Sequence, residues 1–295
     1  MTGRSTDREC GGGRGGLGRF IETLLAGIPW SERAEETETV HLPRPPGGTL
    51  RIDNANGRTR VVGEDRGDIE IQLKKAARAE SEEQARQLVE AIRVVPNEDA
   101  AGDLNLEVEI PGRWNRRGRV DLELRIPREL KVQVTAANGK VCVLGLRGSV
   151  RARSSNGAVR IEDVIGDIEI ATSNAKVSCT CTCGHLAARS SNGKIELDDH
   201  RGSVDAATSN GTIHCGLEDI GKPGVVLSTS NGRIVLDLPE EVDGDVDIRV
   251  DNGLIRNSRE LDSPSRERSG RMKGTLGRGG TPIRLRASNG TISIR

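Results

Sequence analysis

The sequence predicts an all-β fold: a single-stranded right-handed β-solenoid (β-helix-like) with 18–21-residue coils, one inserted helix and an N-terminal helix. Three observations predict this class. An asparagine recurs at fixed spacing, apolar residues alternate on both sides of it, and the near absence of aromatic residues leaves aliphatic side chains to build the core. The 37 glycines also indicate a chain that turns often.

The recurring asparagine sets the period. The five asparagines from Asn138 to Asn210 are equally spaced along the chain, and the next two follow at a slightly longer interval. Glycine follows each asparagine except Asn174, which precedes Ala175. Fixed spacing of this kind is typical of repeat architectures. The nine members of the set are Asn56, Asn138, Asn156, Asn174, Asn192, Asn210, Asn231, Asn252 and Asn289.

Apolar residues flank each asparagine with a period of two. Around Asn156 they are Val150 and Ala152 on one side and Val159 and Ile161 on the other. Such alternation indicates β-strands with one buried face. The predicted unit is therefore a strand, an Asn-Gly corner, a second strand and a loop of variable length.

Asn-Gly between alternating strands is also the strongest short hairpin signal, so a meander of hairpins is an alternative. A flat antiparallel sheet, however, needs a second layer to cover its apolar face, and the sequence offers only one substantial helix outside the repeats. A solenoid buries that face against itself, and equivalent residues then stack in columns. The asparagines would form a ladder, in which each side-chain amide can hydrogen-bond the next.

Residues 1–48 are predicted to be a flexible leader, a short amphipathic helix and a charged linker, and residues 49–295 the solenoid domain. The helix either packs on its own domain or docks to a partner. Its apolar face consists of Leu17, Phe20, Ile21, Leu24, Leu25 and Ile28.

An insertion at residues 74–130 interrupts the repeats. Ser81 is a candidate cap for a helix with the sequence "SEEQARQLVEAIRVV", and two alternating segments after it predict two strands. We expect these elements to cover the N-terminal end of the stack, because solenoid ends expose unpaired edges. Residues 258–281 are polar and glycine-rich and predict a mobile loop. The last strand, "GTISIR", stops in mid-unit, so its C-terminal edge is either open to self-association or covered by the long loop.

Composition excludes several functions. Lys and Arg together number 44, as do Asp and Glu, so no net field attracts nucleic acid or an anionic membrane. The few aromatic rings leave no platform for stacking bases. No segment approaches the ~20 apolar residues that cross a bilayer, and the N-terminal apolar run is a poor secretory signal. These features predict a cytoplasmic protein with reduced cysteines.

No motif in the chain predicts catalysis, a metal or a cofactor. The stretch "CTCTC" (Cys179, Cys181, Cys183) lacks zinc spacing, and alternation along a strand predicts that all three thiols face one way. The glycines of "GGGRGG" follow no strand, so they do not predict a dinucleotide site. Outward positions two residues after the asparagines form a broken basic column: Arg58, Lys140, Ala158, Lys176, Lys194, Thr212 and Arg233.

The segment "VDLELRIPRELKVQVTAANGKVCVLGLRGSVRARSSNGAVRIEDVIGDIEI" resembles the bacterial family of β-solenoid domains named "putative adhesins", whose relatives include head domains likened to autotransporter adhesins. The resemblance runs from about residue 49 to residue 295 and includes the "RIP" turn at residues 125–127. It implies a non-enzymatic scaffold without catalytic residues and, by the family's label, a place in the cell envelope. The chain departs from that label because it shows neither a signal peptide nor an anchor.

Three functional hypotheses follow. The first is a non-catalytic structural or interaction protein that presents a rigid surface to a macromolecule, either a protein or a glycan. The second is a self-assembling, cytoskeleton-like scaffold that polymerises through the ends of the solenoid. The third is a carbohydrate-active β-helix enzyme, for which no pair of carboxylates stands out as acid and base.

Overall fold

The computed structural model describes residues 32–111, 118–267 and 270–295. One helix lies in this part of the chain, α1 (Glu82–Ala91). The strands are β1 (Glu32–Pro43), β2 (Thr49–Asn56), β3 (Thr59–Glu64), β4 (Asp68–Ala79), β5 (Arg93–Glu98), β6 (Leu104–Glu109), β7 (Gly118–Pro127), β8 (Lys131–Asn138), β9 (Val141–Leu144), β10 (Val150–Ser154), β11 (Val159–Ile165), β12 (Ile168–Thr172), β13 (Val177–Asn192), β14 (Ile195–Asp237), β15 (Gly244–Asn257), β16 (Asp262–Glu267), β17 (Arg271–Leu276) and β18 (Pro282–Ile294).

Successive repeats pair in parallel. We call the strand before each asparagine and the strand after it the two arms of a rung. In the first arm, β8, β10 and β12 pair side by side with a shift of one repeat, as Val132, Val150 and Ile168 show. In the second arm, β9 and β11 also pair in parallel with a shift of one repeat. The parallel pairing of neighbouring arms rules out the hairpin meander.

The core is a set of aliphatic columns between the arms. Each column contains the residues at one position of successive rungs, which lie ~4.8 Å apart. The column three residues after the asparagines includes five fully buried residues from successive rungs, Val141, Val159, Val177, Ile195 and Ile213. Burying such a side chain contributes roughly 1.5–3 kcal/mol, so the repeated pattern itself supplies the driving force for folding.

Strand β18, the last in the chain, lies inside the stack. It pairs in parallel with residues 225–236 of β14 on one side and with β15 on the other. Both of its backbone edges are therefore occupied, so the prediction that the last strand of the chain leaves an open edge is wrong. The strand that completes the second arm of the last rung is instead β15, which precedes β18 in the chain.

The N-terminal end is covered by more strands than the sequence predicted. The segment interpreted as a charged linker contains β1, which pairs antiparallel with β4. Val40 and Leu42 on β1 pack against the core. They form a short apolar alternation within a segment that is rich in glutamate. β4 in turn pairs antiparallel with β7, so this end of the second arm is closed by added strands.

The inserted helix lies where Ser81 indicated. The Ser81 hydroxyl accepts a hydrogen bond from the backbone N–H of Gln84 at 3.3 Å and caps α1. Leu88 and Val89 of α1 are buried with Ala77 of β4 in a small second core. Three strands, rather than two, accompany the helix, because β5 pairs antiparallel with β6 although it contains Pro96.

The segment predicted as a mobile loop at residues 258–281 contains β16 and β17. These strands pair with each other, and β17 pairs antiparallel with residues 244–249 of β15. Met272 and Leu276 of β17 are buried, and these two apolar residues organise an otherwise polar, glycine-rich sequence. The predicted N-terminal helix, with Leu17, Phe20, Ile21, Leu24, Leu25 and Ile28, lies outside the described residues.

Candidate functional site

The asparagines form a continuous ladder along the corner of the stack, which confirms the predicted stacking of their amides. Each Nδ2 donates to the Oδ1 of the next asparagine at 2.8–3.2 Å. All eight bonds point toward the same end. In spatial order the ladder reads Asn56, Asn138, Asn156, Asn174, Asn192, Asn210, Asn231, Asn289 and Asn252, so its last two members are reversed relative to the chain.

The glycines of the corner are required by close packing between rungs. A Cβ built on Gly157 would overlap the carbonyl oxygen of Gly139 in the rung below. The Ser154 hydroxyl fastens the same corner, because it donates to the carbonyl oxygen of Gly157 at 2.9 Å and accepts from its N–H at 3.0 Å. The corner is thus a rigid structural ridge, and the face beside it is where a ligand could bind.

That face contains a trough of about 500 Å³, which we call the serine trough. Most of its lining residues point outward from the first arms, one and three positions before the asparagines, and the buried residues between them complete the lining. Small side chains form the floor, and three arginines stand around it. The floor residues are Ala171, Ser191, Ala207, Ser209, Ser228, Ser230 and Ser288, the arginines are Arg189, Arg249 and Arg286, and Asp251 is the one carboxylate of the lining.

The three arginines differ in how their donors are used. Arg189 donates to the carbonyl oxygen of Asp205 at 2.7 Å and to its carboxylate. The Nε of Arg249 donates to Oδ1 of Asp251 at 3.1 Å. Arg286 is exposed and forms no hydrogen bond or close ion pair with a described residue, and its charge acts at longer range on the carboxylate of Asp247. Its guanidinium therefore has five N–H donors available to a bound ligand.

A larger depression of about 780 Å³ lies at the other side of the last rungs, and it is acidic. Asp243, one of its carboxylates, accepts bonds from the Arg278 backbone N–H at 2.8 Å and from the Arg278 guanidinium at 2.8 and 3.0 Å. These bonds lower the pKa of Asp243 and keep it ionised. No group of three or more His, Cys, Asp or Glu side chains within the described ranges could hold a metal ion.

The three clustered cysteines do not face one way. Cys179 is buried in the column between Ile161 and Leu197, and burial raises the pKa of its thiol to about 12. Cys181 and Cys183 are exposed. Cys181 has a left-handed φ of 53°, which interrupts the regular alternation of the strand. Thr182 therefore points inward, where regular alternation would have placed Cys181. Alternation along a regular strand could not predict this bulge.

Three histidines of the described chain each contact a hydroxyl or a carboxylate on a neighbouring rung, and His185 lies close enough to His200 to act on its ring. The buried His200 ring shares a 2.8 Å hydrogen bond through Nδ1 with the hydroxyl of Thr182, and burial lowers the pKa of the ring. His185 contacts Ser203 at 2.8 Å, and His214 contacts the carboxylate of Asp237 at 2.6 Å. Each pair joins neighbouring rungs, which is a structural use of the side chains.

The broken basic column on the second arms is partly neutralised. Lys176 and Lys194 both form ion pairs with Glu196, and the hydrogen bond from Lys176 is the main cause of the lowered pKa of that carboxyl. The serine trough, which sequence reasoning missed, is the stronger candidate. Its signal was present in the sequence, because serine precedes every asparagine from Asn156 to Asn231 and again at Asn289.

No helix among the described residues is long and apolar enough to span a membrane. In sequence, no protein of curated function matches the chain.

Three solved structures are similar to the chain at low sequence identity. A "putative adhesin" from Bacteroides fragilis has a TM-score of 0.47 and 10% identity, over 89% of this chain and 97% of that chain. A "putative adhesin" from Parabacteroides merdae has a TM-score of 0.44 and 11% identity, over 90% and 96%. A "putative cell adhesion protein" from Clostridium sporogenes has a TM-score of 0.31 and 10% identity, over 89% and 99%.

A family of protein domains matches the sequence directly. The family described as Toastrack DUF4097 matches residues 117–295, which is more than half of the chain and includes every rung from Asn138 onward. The chain therefore belongs to the Toastrack DUF4097 family.

Proposed function

We propose that the protein is a right-handed β-solenoid with 18–21-residue coils that binds a macromolecule without chemical turnover. The proposed ligand is an extended polysaccharide that carries carboxylate groups, and the proposed binding site is the serine trough. The support for this proposal is the combination in one trough of serine hydroxyls, small floor residues and the unpaired guanidinium of Arg286.

The chemistry of the trough suits such a chain. Hydroxyl groups donate to and accept from sugar hydroxyls, and a guanidinium binds a carboxylate through two parallel hydrogen bonds. The side chains project from parallel arms that pair on both sides, so their positions are fixed before the ligand arrives. Preorganisation of this kind favours affinity, because little side-chain entropy is lost on binding.

The carboxylates nearest the trough support a role without catalysis. Asp205 is paired with Arg189, and Asp251 is paired with Arg249. Among the described residues, Asp251 is the one carboxylate that lines the trough, whereas glycoside hydrolysis requires two carboxyl groups that flank the scissile bond. The trough therefore lacks the acid–base pair that glycoside hydrolysis requires.

The test measures binding of polygalacturonate, a linear polymer of uronic acids, by isothermal titration calorimetry. We expect the Arg286→Ala variant to bind about tenfold more weakly, the loss expected for a hydrogen-bonded charge pair. The matched control is Arg233→Ala, which removes an exposed arginine from the second arm of the rung next to β18 and should leave affinity unchanged.

Three results would contradict the proposal. If the wild type does not bind polygalacturonate, or binds neutral dextran equally well, the proposed ligand class is wrong. If the polymer becomes shorter during incubation, the protein is an enzyme. Cell fractionation would show whether it meets such polymers in the envelope, as the family resemblance implies, or lies in the cytoplasm, as composition predicts.

A further inference from the structure

One edge of the β-sheet is uncovered in the described part of the chain. Residues 251–257 of β15 pair with β18 on one side, whereas β17 covers only residues 244–249 on the other side. We call residues 251–257 the open edge. An uncovered edge offers backbone N–H and C=O groups that can pair with another strand.

The other three edges of the described sheet are blunted. β1 is rich in glutamate and contacts α1, which covers part of it. β5 contains Pro96, and β16 contains Pro264 together with an irregular register between Asp262 and Ser265. Proline and irregular register are devices that prevent edge-to-edge pairing. The open edge has no proline, and Arg256 is its only basic residue.

The open edge also carries the most exposed large apolar side chain of the described residues. Leu254 is 60% exposed. It occupies the column two residues after the asparagines, where every other rung has a basic, small or hydroxyl-bearing side chain. Leu254 breaks the pattern of that column at the rung whose edge is free. Single exposed apolar residues are common on protein surfaces, so the weight of this observation lies in the position of Leu254 on the uncovered edge itself.

From these observations we infer that the open edge binds the same edge of a second copy of this chain and forms a symmetric dimer. We consider antiparallel pairing in which the inward-facing residues of one copy lie opposite the inward-facing residues of the other. This pairing places Ile255 opposite Ile255 of the second copy. Leu254 then lies opposite Arg256, whose methylene stem can cover it. The pairing is self-complementary, since neither Arg256 stands opposite another positive charge.

The arrangement stops at two copies. A head-to-tail filament would require a free edge at both ends of the stack, but the edge at the opposite end of the second arms is β1, which is blunted by its glutamates and its contact with α1. Pairing of identical edges about a two-fold axis consumes the open edge of each copy, and the other described edges are blunted. Because the edge is short, the interface is small and the dimer is expected to be weak.

Sedimentation equilibrium of the full-length chain over a concentration series tests the inference. The expected result is a reversible monomer–dimer equilibrium for the wild type. Leu254→Lys, which restores the basic column, should raise the dissociation constant at least about tenfold. The matched control is Ile165→Lys, because Ile165 is 48% exposed but lies on β11, away from the open edge, and the dimer should be unchanged.

Three outcomes would overturn the inference. The wild type could remain monomeric at its highest soluble concentration. Species larger than the dimer could accumulate, which would contradict closure. Ile165→Lys could weaken association as much as Leu254→Lys, which would place the interface elsewhere. Circular dichroism of both variants verifies that the fold is retained, and the result is independent of polysaccharide binding.

Discussion

Cys181 illustrates how one backbone angle changes the chemistry of a motif. Three residues at the same position of neighbouring rungs, Asp163, Cys181 and Asp199, have left-handed φ values of 53–55°. Aspartate adopts this conformation more readily than most residues, so the two aspartates favour the left-handed backbone at this position of the rungs. The consequence for the middle rung is that two thiols of "CTCTC" reach solvent and one does not.

Alkylation tests this division of the thiols. In a Cys10→Ser background, iodoacetamide should modify Cys181 and Cys183 in the native protein, because both are exposed. Cys142, Cys179 and Cys215 should react only after denaturation, since they are buried and burial raises the pKa of the Cys179 and Cys215 thiols. Peptide mass spectrometry identifies the modified sites. Modification of native Cys179 as fast as Cys183 would show that the bulge is absent.

At the scale of elements, the asparagine ladder couples each rung to the next. Asn192 donates to Asn174 and accepts from Asn210, whereas Asn252 makes only one ladder bond, to Asn289. The ladder is exposed to water, so each bond contributes modestly to stability. An interior asparagine should nevertheless matter more than a terminal one.

Urea denaturation can compare the two positions. Asn192→Ala should lower the free energy of unfolding by about 1–2 kcal/mol, because it removes two side-chain hydrogen bonds. Asn252→Ala should cost less than half as much, since it removes one bond at the end of the ladder. Equal losses for the two variants would mean that the ladder does not stabilise the stack.

The elements show what the sequence could and could not predict. The arms and corners were predictable because their alternation is local and repeats around each asparagine. β1 and β17 were missed because few of their residues are apolar. These segments form strands because they pair with β4 and β15, and their own sequences carry little strand pattern. The trough was missed for a similar reason: its residues come from several rungs, and only the stacked order brings Arg189 and Arg286 to one depression.

At the scale of the whole molecule, the position of β18 decides which parts depend on one another. β18 lies between residues 225–236 and β15, and β15 carries β17 and β16 in turn. Spacing alone could not predict this order. The long interval between Asn252 and Asn289 allows either of these two rungs to be the last one in the stack.

Deletion of residues 282–295 tests the order. The truncated chain should lose hydrogen-exchange protection by at least about tenfold in β15, β16 and β17 as well as in residues 225–236, because all of them depend on β18. A chain stacked in sequence order would lose protection only in the single rung next to the deletion. Retained protection of β15 would therefore contradict the interior position of β18.

The interior place of β18 has a consequence for biosynthesis. Until residues 282–294 emerge from the ribosome, β15 and the end of β14 lack the strand that joins them, and both present bare backbone groups to solvent. This part of the protein can close only after residues 282–294 have left the ribosomal exit tunnel. Nascent polypeptides stalled before that point would thus be the form most exposed to chaperones and to aggregation.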